Sequence, residues 1–222
     1  MSSGIEWNEH VPSTDPVNSS AQLRASTNRI EFILSQKMAN KPGTVYNYSG
    51  ASAQLLAEIV NKSTGMRIDR FTEGYLFKPL GISKFDWMEN STGYLSAAGG
   101  LRLRSRDVAK LGLLVMNRGK WDGKQIIPQK LIKEAVTPKV KVSEDADGWK
   151  TNYGYQMFLP TFPDRGKNYS LVEFTGNGGQ KVLMDSESDL MVVITAGNYD
   201  RSGLKKSSFD ILLDIVYPAI NN

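Results

Sequence analysis

The 222 residues contain no cysteine, which removes disulfides, thiolate catalysis and thiolate metal sites. There is one histidine, His10. A single imidazole cannot build a histidine-rich zinc site. A Ser-His-Asp arrangement would have only His10 to use, and nothing around it looks like a nucleophile elbow. Set among Pro12, Asp15 and Pro16, it reads as a solvated loop residue. No run approaches the roughly 20 apolar residues of a membrane span. The opening Met1-Ser2-Ser3-Gly4-Ile5-Glu6-Trp7 has neither a basic region nor an apolar core, so it does not read as a signal peptide. Localisation is therefore open; if the intact protein is exported, its signal lies upstream. Lys and Arg number 27 against 23 Asp and Glu. Lys205-Lys206 is the only adjacent basic pair, and no aromatic residues interleave with basic runs, so nucleic acid is not an expected partner.

What is present fits one globular domain over 1–222, with enough apolar residues, 40%, to fill a core. Residues 1–150 read as mainly helix and loop. Loop residues dominate 8–20. A helix is expected over about 20–37, broken after it by Lys41-Pro42-Gly43. A second covers about 50–63 with Ser52, Leu55, Leu56, Ile59 and Val60 on one face, capped by Gly65. A third covers about 67–77 with Ile68, Phe71, Tyr75 and Leu76, stopped by Pro79. Residues 81–104 are irregular. Ser105 is placed to cap the next helix, with Asp107 at its positive end. Trp121-Asp122-Gly123-Lys124 reads as a tight turn, and Pro128 opens a short helix with Leu131, Ile132, Ala135 and Val136 inward.

Residues 151–222 change to strand character, with strands at Tyr153–Leu159, Tyr169–Thr175, Gln180–Met184 and Leu190–Ala196. A final helix begins at Ser207 or Ser208. Helices, then an antiparallel meander, then a terminal helix indicate an α+β layered domain.

Two stretches carry candidate chemistry. Tyr48 sits in Pro42-Gly43-Thr44-Val45-Tyr46-Asn47-Tyr48-Ser49-Gly50, directly before an amphipathic helix. A tyrosine with a pKa near 10 serves as a base only if a neighbouring cation stabilises the phenolate. The plain alternative is that Tyr46 and Tyr48 alternate on a short extended segment and one of them packs. Downstream, Gly176-Asn177-Gly178-Gly179-Gln180 leads into an apolar strand. Gly178 and Gly179 let a backbone come close to a ligand, and Gln180 could present its N–H to a carbonyl oxygen. The plain alternative is a glycine-rich hairpin turn.

These stretches resemble two of the three active-site elements of the serine β-lactamase and penicillin-binding-protein-like hydrolases, most closely the class C β-lactamase-related ones. Other family-like phrases run in order through the chain. They include Ser63-Thr64-Gly65-Met66, Leu76-Phe77-Lys78-Pro79-Leu80-Gly81-Ile82, Ala98-Gly99-Gly100-Leu101-Arg102-Leu103 and Arg106-Asp107-Val108-Ala109-Lys110-Leu111-Gly112. The resemblance implies a β-lactamase/transpeptidase-like fold, an antiparallel sheet flanked by helices. It gives Tyr48 a proton-relay role and the Gln180 N–H half of an oxyanion hole. Ser49, Gly50, Asn177, Gly178 and Gly179 become substrate-binding candidates. Gly50 stands where the family's Tyr-x-Asn has its amide. Neutral Asn177 replaces a cation in the family's Lys-Thr-Gly triplet, which favours an esterase, amidase or peptidase-like activity over efficient penicillin hydrolysis.

The third element, a Ser-x-x-Lys upstream of the tyrosine, is not found. The only serine with a lysine three residues on is Ser202, with Lys205. That pair follows the last strand and reads as helix-start polarity, with a relocated dyad as a weaker option. Ser2-Ser3-Gly4-Ile5-Glu6-Trp7 resembles a stretch that follows the nucleophile in the family. The expectation is a C-terminal portion lacking the first strands and the nucleophile helix. An uncovered sheet face, an unpaired sheet edge, and self-association or pairing with an N-terminal segment are expected with it. The substrate would be a small-molecule or peptide ester or amide, with no metal or organic cofactor implied. A catalytically inactive module binding a peptide or cell-wall fragment is the alternative.

Overall fold

A computed structural model describes residues 1–89, 93–199 and 207–220. The chain forms two compact units, Met1–Arg104 and Ser105–Asn222.

In the first unit the chain start is pinned against residues 37–40. Ile5 bridges Met38, and the Glu6 N–H donates to the Lys37 carbonyl at 2.8 Å. The expected helix over 20–37 is two helices, α1 (Ser19–Ala25) and α2 (Arg29–Leu34). Asn28 ends the run: its side chain accepts the Glu31 N–H at 3.2 Å, so it caps α2 instead of continuing α1. Asn18 caps α1 in the same way. Trp7, Ile33 and Ala51 form a core with Ile5, Leu23, Phe32 and Leu55 around it.

The third helix, α3 (Gly50–Thr64), starts at Ser49 and ends at Gly65, whose φ of 68° is the left-handed cap conformation. Its buried face differs from the one expected. Gly50, Ala51, Gln54 and Ala57 turn inward, while Leu56 and Ile59 are 49% and 61% exposed. Small residues permit closer helix packing than the larger apolar ones on the other face. The expected helix over 67–77 splits into α4 (Ile68–Thr72) and a π-helical stretch (Glu73–Phe77). Phe77 turns inward there, while Tyr75 is exposed. β1 (Phe85–Trp87) and β2 (Leu101–Leu103) pair antiparallel within the stretch expected to be irregular.

The second unit opens with α5 (Ser105–Met116). β3 (Lys120–Trp121) and β4 (Lys124–Gln125) follow as a hairpin. Its loop residues, Asp122 and Gly123, both have positive φ, as a two-residue hairpin turn requires. Then comes α6 (Gln129–Ala135), burying Ile132 and Ala135 and leaving Leu131 exposed.

Sheet structure begins at Val140, ahead of residue 150, with β5 (Val140–Glu144). β6 (Lys150–Tyr153), β7 (Phe158–Asp164), β8 (Lys167–Ser170), β9 (Val172–Thr175), β10 (Lys181–Asp185) and β11 (Leu190–Ile194) complete it. The spatial order is β11-β10-β9-β7-β6-β5, with β8 also paired to β7. Two strand expectations change. Tyr153–Leu159 is a corner, with Gln156 at φ 59°, joining β6 to β7. The run 169–175 breaks at Leu171 into β8 and β9.

Both faces of this sheet carry helices. On one, Val182 and Met184 pack with Val115 of α5 and Ile132 of α6. A Cβ at Gly112 would lie 2.5 Å from Met191 Sδ and 3.0 Å from Val182 Cγ1, so α5 can approach this closely only with glycine there. On the other face, α7 (Ser207–Asp210) runs through a π-helical stretch (Ile211–Val216) into α8 (Tyr217–Ile220). Leu212 and Tyr217 pack there with Phe162, Tyr169, Leu171 and Leu183. The expected uncovered face is thus not found in this unit. Among the described residues β11 ends the sheet, with β10 as its only neighbour in the strand order. Among the described residues no helix is long and apolar enough to cross a membrane.

Candidate active site

The sequence candidates fall into two groups, one in each unit. Tyr48, Ser49 and Gly50 form the first. Tyr48 lies just ahead of the α3 N-terminus and is 39% exposed. Burial of its ring raises the phenol pKa above the ordinary value, and the negative charge of Glu9 raises it further. Both effects keep Tyr48 protonated. Tyr46 is also pushed up, by burial and then by Tyr48. Asn47 anchors the loop: its side-chain amide donates to the Trp7 carbonyl and its backbone N–H to the Met1 carbonyl, each at 2.9 Å. Ser49 is buried; its hydroxyl accepts the Ser52 N–H at 3.3 Å as the cap of α3. Gly50 is buried too.

Glu9 is the residue that sequence reading missed. One oxygen, Oε1, accepts the Trp7 indole N–H at 2.6 Å, the Gly50 backbone N–H at 2.9 Å and the Ser20 hydroxyl. A carboxylate at the head of a 15-residue helix also meets the positive end of its dipole. Its partner Gly50 lies 41 positions away, so no local pattern marks it.

The second group is the turn between β9 and β10. Gly178 and Gly179 are buried and Asn177 is exposed. Gly179 has φ 84°, a left-handed conformation that glycine adopts without penalty. The Gln180 side chain braces this turn. Its Oε1 accepts the Gly178 N–H at 2.9 Å, and its Nε2 donates to the Ala196 carbonyl at 2.7 Å and to the Tyr199 hydroxyl at 3.2 Å. Sequence reading gave Gln180 only a backbone role and did not single out Tyr199. A Cβ on Gly178 would come within 3.0 Å of the Tyr199 ring.

Directly after Gln180, Lys181 turns into the core. Its ammonium donates to Glu173 and, at 3.2 Å, to the Thr175 hydroxyl, with the Phe209 ring centroid 4.9 Å away. Both ionic side chains are under 10% exposed. This ion pair spans β9 and β10, so it locks the two strands that flank the glycine turn. Ser202 and Lys205, the relocated-dyad option, lie outside the described residues.

A family model for the Beta-lactamase family matches residues 1–206. The chain belongs to the Beta-lactamase family. Among curated members and relatives, it is 22% identical over 149 residues to a 6-aminohexanoate-dimer hydrolase of Paenarthrobacter ureafaciens. That alignment covers 67% of this chain and 38% of the relative. A Bacillus anthracis protein carrying the provisional name 6-aminohexanoate-dimer hydrolase superposes with a TM-score of 0.75 at 22% identity, over 98% of this chain and 59% of that one. The octameric penicillin-binding protein homologue from Pyrococcus abyssi gives 0.64 at 20% identity, over 96% and 54%. These likenesses establish the β-lactamase/transpeptidase-like α+β fold. This Beta-lactamase family chain spans little more than half the length of these two structures, and less of the curated relative.

Proposed function

We propose that this chain is part of a serine hydrolase that cleaves an ester or amide through an acyl-enzyme, with the nucleophilic serine and its lysine on chain outside these 222 residues. The observation that carries this reading is Tyr48. It is a partly exposed phenol at the head of α3, anchored by its neighbours and kept protonated by burial and by Glu9, within a chain matched by the family over residues 1–206. In acyl transfer the attacking hydroxyl loses a proton and the leaving group gains one. A protonated Tyr48 suits the donor half of that relay. A base role needs a cation beside it to lower its pKa, and the lysine accompanying the serine would supply that charge. The Gln180 N–H would hold the carbonyl oxygen as it becomes an oxyanion, on a turn kept rigid by the Gln180 side chain. Ser49, Gly50, Asn177, Gly178 and Gly179 would be the substrate-binding residues. The relatives named for 6-aminohexanoate-dimer hydrolysis favour a short amide as the substrate class.

The partner proposal follows from β11. Its five residues, Leu190-Met191-Val192-Val193-Ile194, are all apolar and half-buried, and among the described residues one edge lacks a neighbour. An exposed apolar edge invites another strand. In the intact protein, chain outside these residues would pair there; in its absence, a second copy would.

The deciding experiment is the intact mass of the protein from its native host, before and after a fluorophosphonate probe. One adduct on a species heavier than 24.6 kDa is the expected result. No adduct on a 24.6 kDa species would overturn the enzymatic reading and leave a non-catalytic binding module.

A further inference from the structure

The formal charge of the chain is +4, and its surplus is localised. Between Arg118 and Lys139 lie Arg118, Lys120, Lys124, Lys130, Lys133 and Lys139, against two acids, Asp122 and Glu134. Taking these six from 27 cations and these two from 23 acids leaves twenty-one of each. The rest of the chain is therefore neutral, and one stretch of 22 residues holds the whole imbalance.

All six cations are exposed. Among the described residues none of them is in an ion pair, whereas the neighbouring Lys110, Lys141 and Lys150 each pair with a carboxylate. The fold also gathers them. The Ile126 and Ile127 N–H groups both return to the Gly119 carbonyl, folding the β3–β4 hairpin back against the end of α5. Pro128 then starts α6 at once. Ile127 and Ile132 face the sheet, so the hairpin and α6 present Lys120, Lys124, Lys130 and Lys133 outward. Two large apolar side chains sit among these charges. Leu131 is 47% exposed and Tyr155 is 46% exposed. Tyr155 is tied to the end of α6 by its N–H to the Ala135 carbonyl, and the Lys139 ammonium lies 5.1 Å from its ring centroid.

We propose that this surface of the second unit, the β3–β4 hairpin and α6 with Tyr155, docks on an anionic lipid membrane. Unpaired lysines interspersed with an exposed leucine and tyrosine match a headgroup region that is negative outside and apolar beneath. Five of the six cations are lysine, a compact charge suited to a diffuse anionic surface; bidentate phosphate reading on nucleic acid would favour arginine. The attachment is peripheral and reversible, and it is independent of the proposed hydrolysis.

The test is co-sedimentation of the protein with vesicles of phosphatidylcholine alone and with vesicles in which about a third of the lipid is phosphatidylglycerol. Binding is expected only to the second, weakening as salt rises. Lys130→Gln with Lys133→Gln should lower partitioning roughly 30-fold, from two lost surface charges. The same change at Lys41 and Lys84, exposed cations of the first unit, should leave it unaltered. Leu131→Asn should weaken vesicle binding without changing retention on heparin. Equal binding to both vesicle types, equal loss from the Lys41 and Lys84 variant, or retention on heparin with no vesicle binding would each overturn the proposal. The last would identify a general polyanion surface instead.

Discussion

Glu9 Oε1 and the Gly50 backbone N–H are 2.9 Å apart, joining the start of the chain to the head of α3. The same oxygen holds Trp7 and Ser20, so Glu9→Ala leaves three donors unsatisfied in a partly buried setting. The expected cost is about 1–3 kcal/mol, a fall of roughly 2–10 °C in the thermal midpoint. Glu9→Gln retains an acceptor and removes the charge. Because Glu9 pushes the Tyr48 phenol pKa up, Glu9→Gln should move the Tyr48 titration to lower pH. NMR of ring-labelled tyrosine reads that directly, and an unmoved midpoint would show that the Glu9 charge does not reach Tyr48.

Tyr48→Phe separates fold from chemistry. The side chain is partly exposed, so stability should change by no more than about 0.5 kcal/mol. If Tyr48 relays protons, kcat of the intact enzyme should fall about 10²–10⁴-fold with KM little changed. A variant retaining full kcat would remove Tyr48 from the mechanism.

Tyr217 donates to Asp185 Oδ2 at 2.9 Å, with both side chains buried. Asp185 Oδ1 also accepts the Glu187 and Ser188 N–H groups of the β10–β11 turn. Burial alone would raise the Asp185 pKa, but hydrogen bonds involving Ser188, Tyr217 and Glu187 outweigh it and hold the carboxyl below its usual range. The folded value is thus lower than the unfolded one. The added stability is present above about pH 4, the unfolded pKa, and is lost as pH falls through the folded one. Tyr217→Phe should cost about 1–3 kcal/mol near neutrality and flatten the decline in thermal midpoint below about pH 4. Parallel midpoint curves for the two proteins would show that the hydrogen bond contributes nothing to acid sensitivity.

How legible each feature was depends on how far its cause reaches along the chain. The α3 helix with its Gly65 cap and the Asp122-Gly123 turn are set by adjacent residues, and both were readable. The break between α1 and α2 was not, because Asn28 can sit within a helical pattern or cap a new helix, and only packing around Ile33 decides. The buried face of α3 misled for a related reason. Leu56 and Ile59 have the stronger hydrophobic signal, yet close approach selected Gly50, Ala51 and Ala57. Tyr48 and the glycine turn stood out through local composition. Glu9 and Tyr199 did not, since each acts on a segment distant from it in the chain, and a lone carboxylate or tyrosine has no periodicity to reveal it.

The Lys181–Glu173 pair tests what a buried charge does under the glycine turn. Lys181→Met strands Glu173 in the core, at an expected cost of about 3–5 kcal/mol. Lys181→Met combined with Glu173→Leu leaves no buried charge and should recover most of that loss. Urea unfolding of the two singles and the double gives the coupling energy directly. A double variant as unstable as the sum of the singles would mean that the two groups act independently.

The edge of β11 makes a claim about neighbours that amide exchange can check. Successive N–H groups along a strand point to opposite sides, so alternate amides from Leu190 to Ile194 face β10 and the others face the open edge. In the isolated chain at low concentration, exchange should alternate between slow and fast along β11. Raising the concentration should slow the fast set while leaving the slow set unchanged. Because the strand carries no charge or proline to discourage pairing, the concentration effect should appear together with a larger sedimentation coefficient. Uniform slow exchange along β11 at every concentration would show that the edge is already covered within the single chain, and the pairing proposal would then fail.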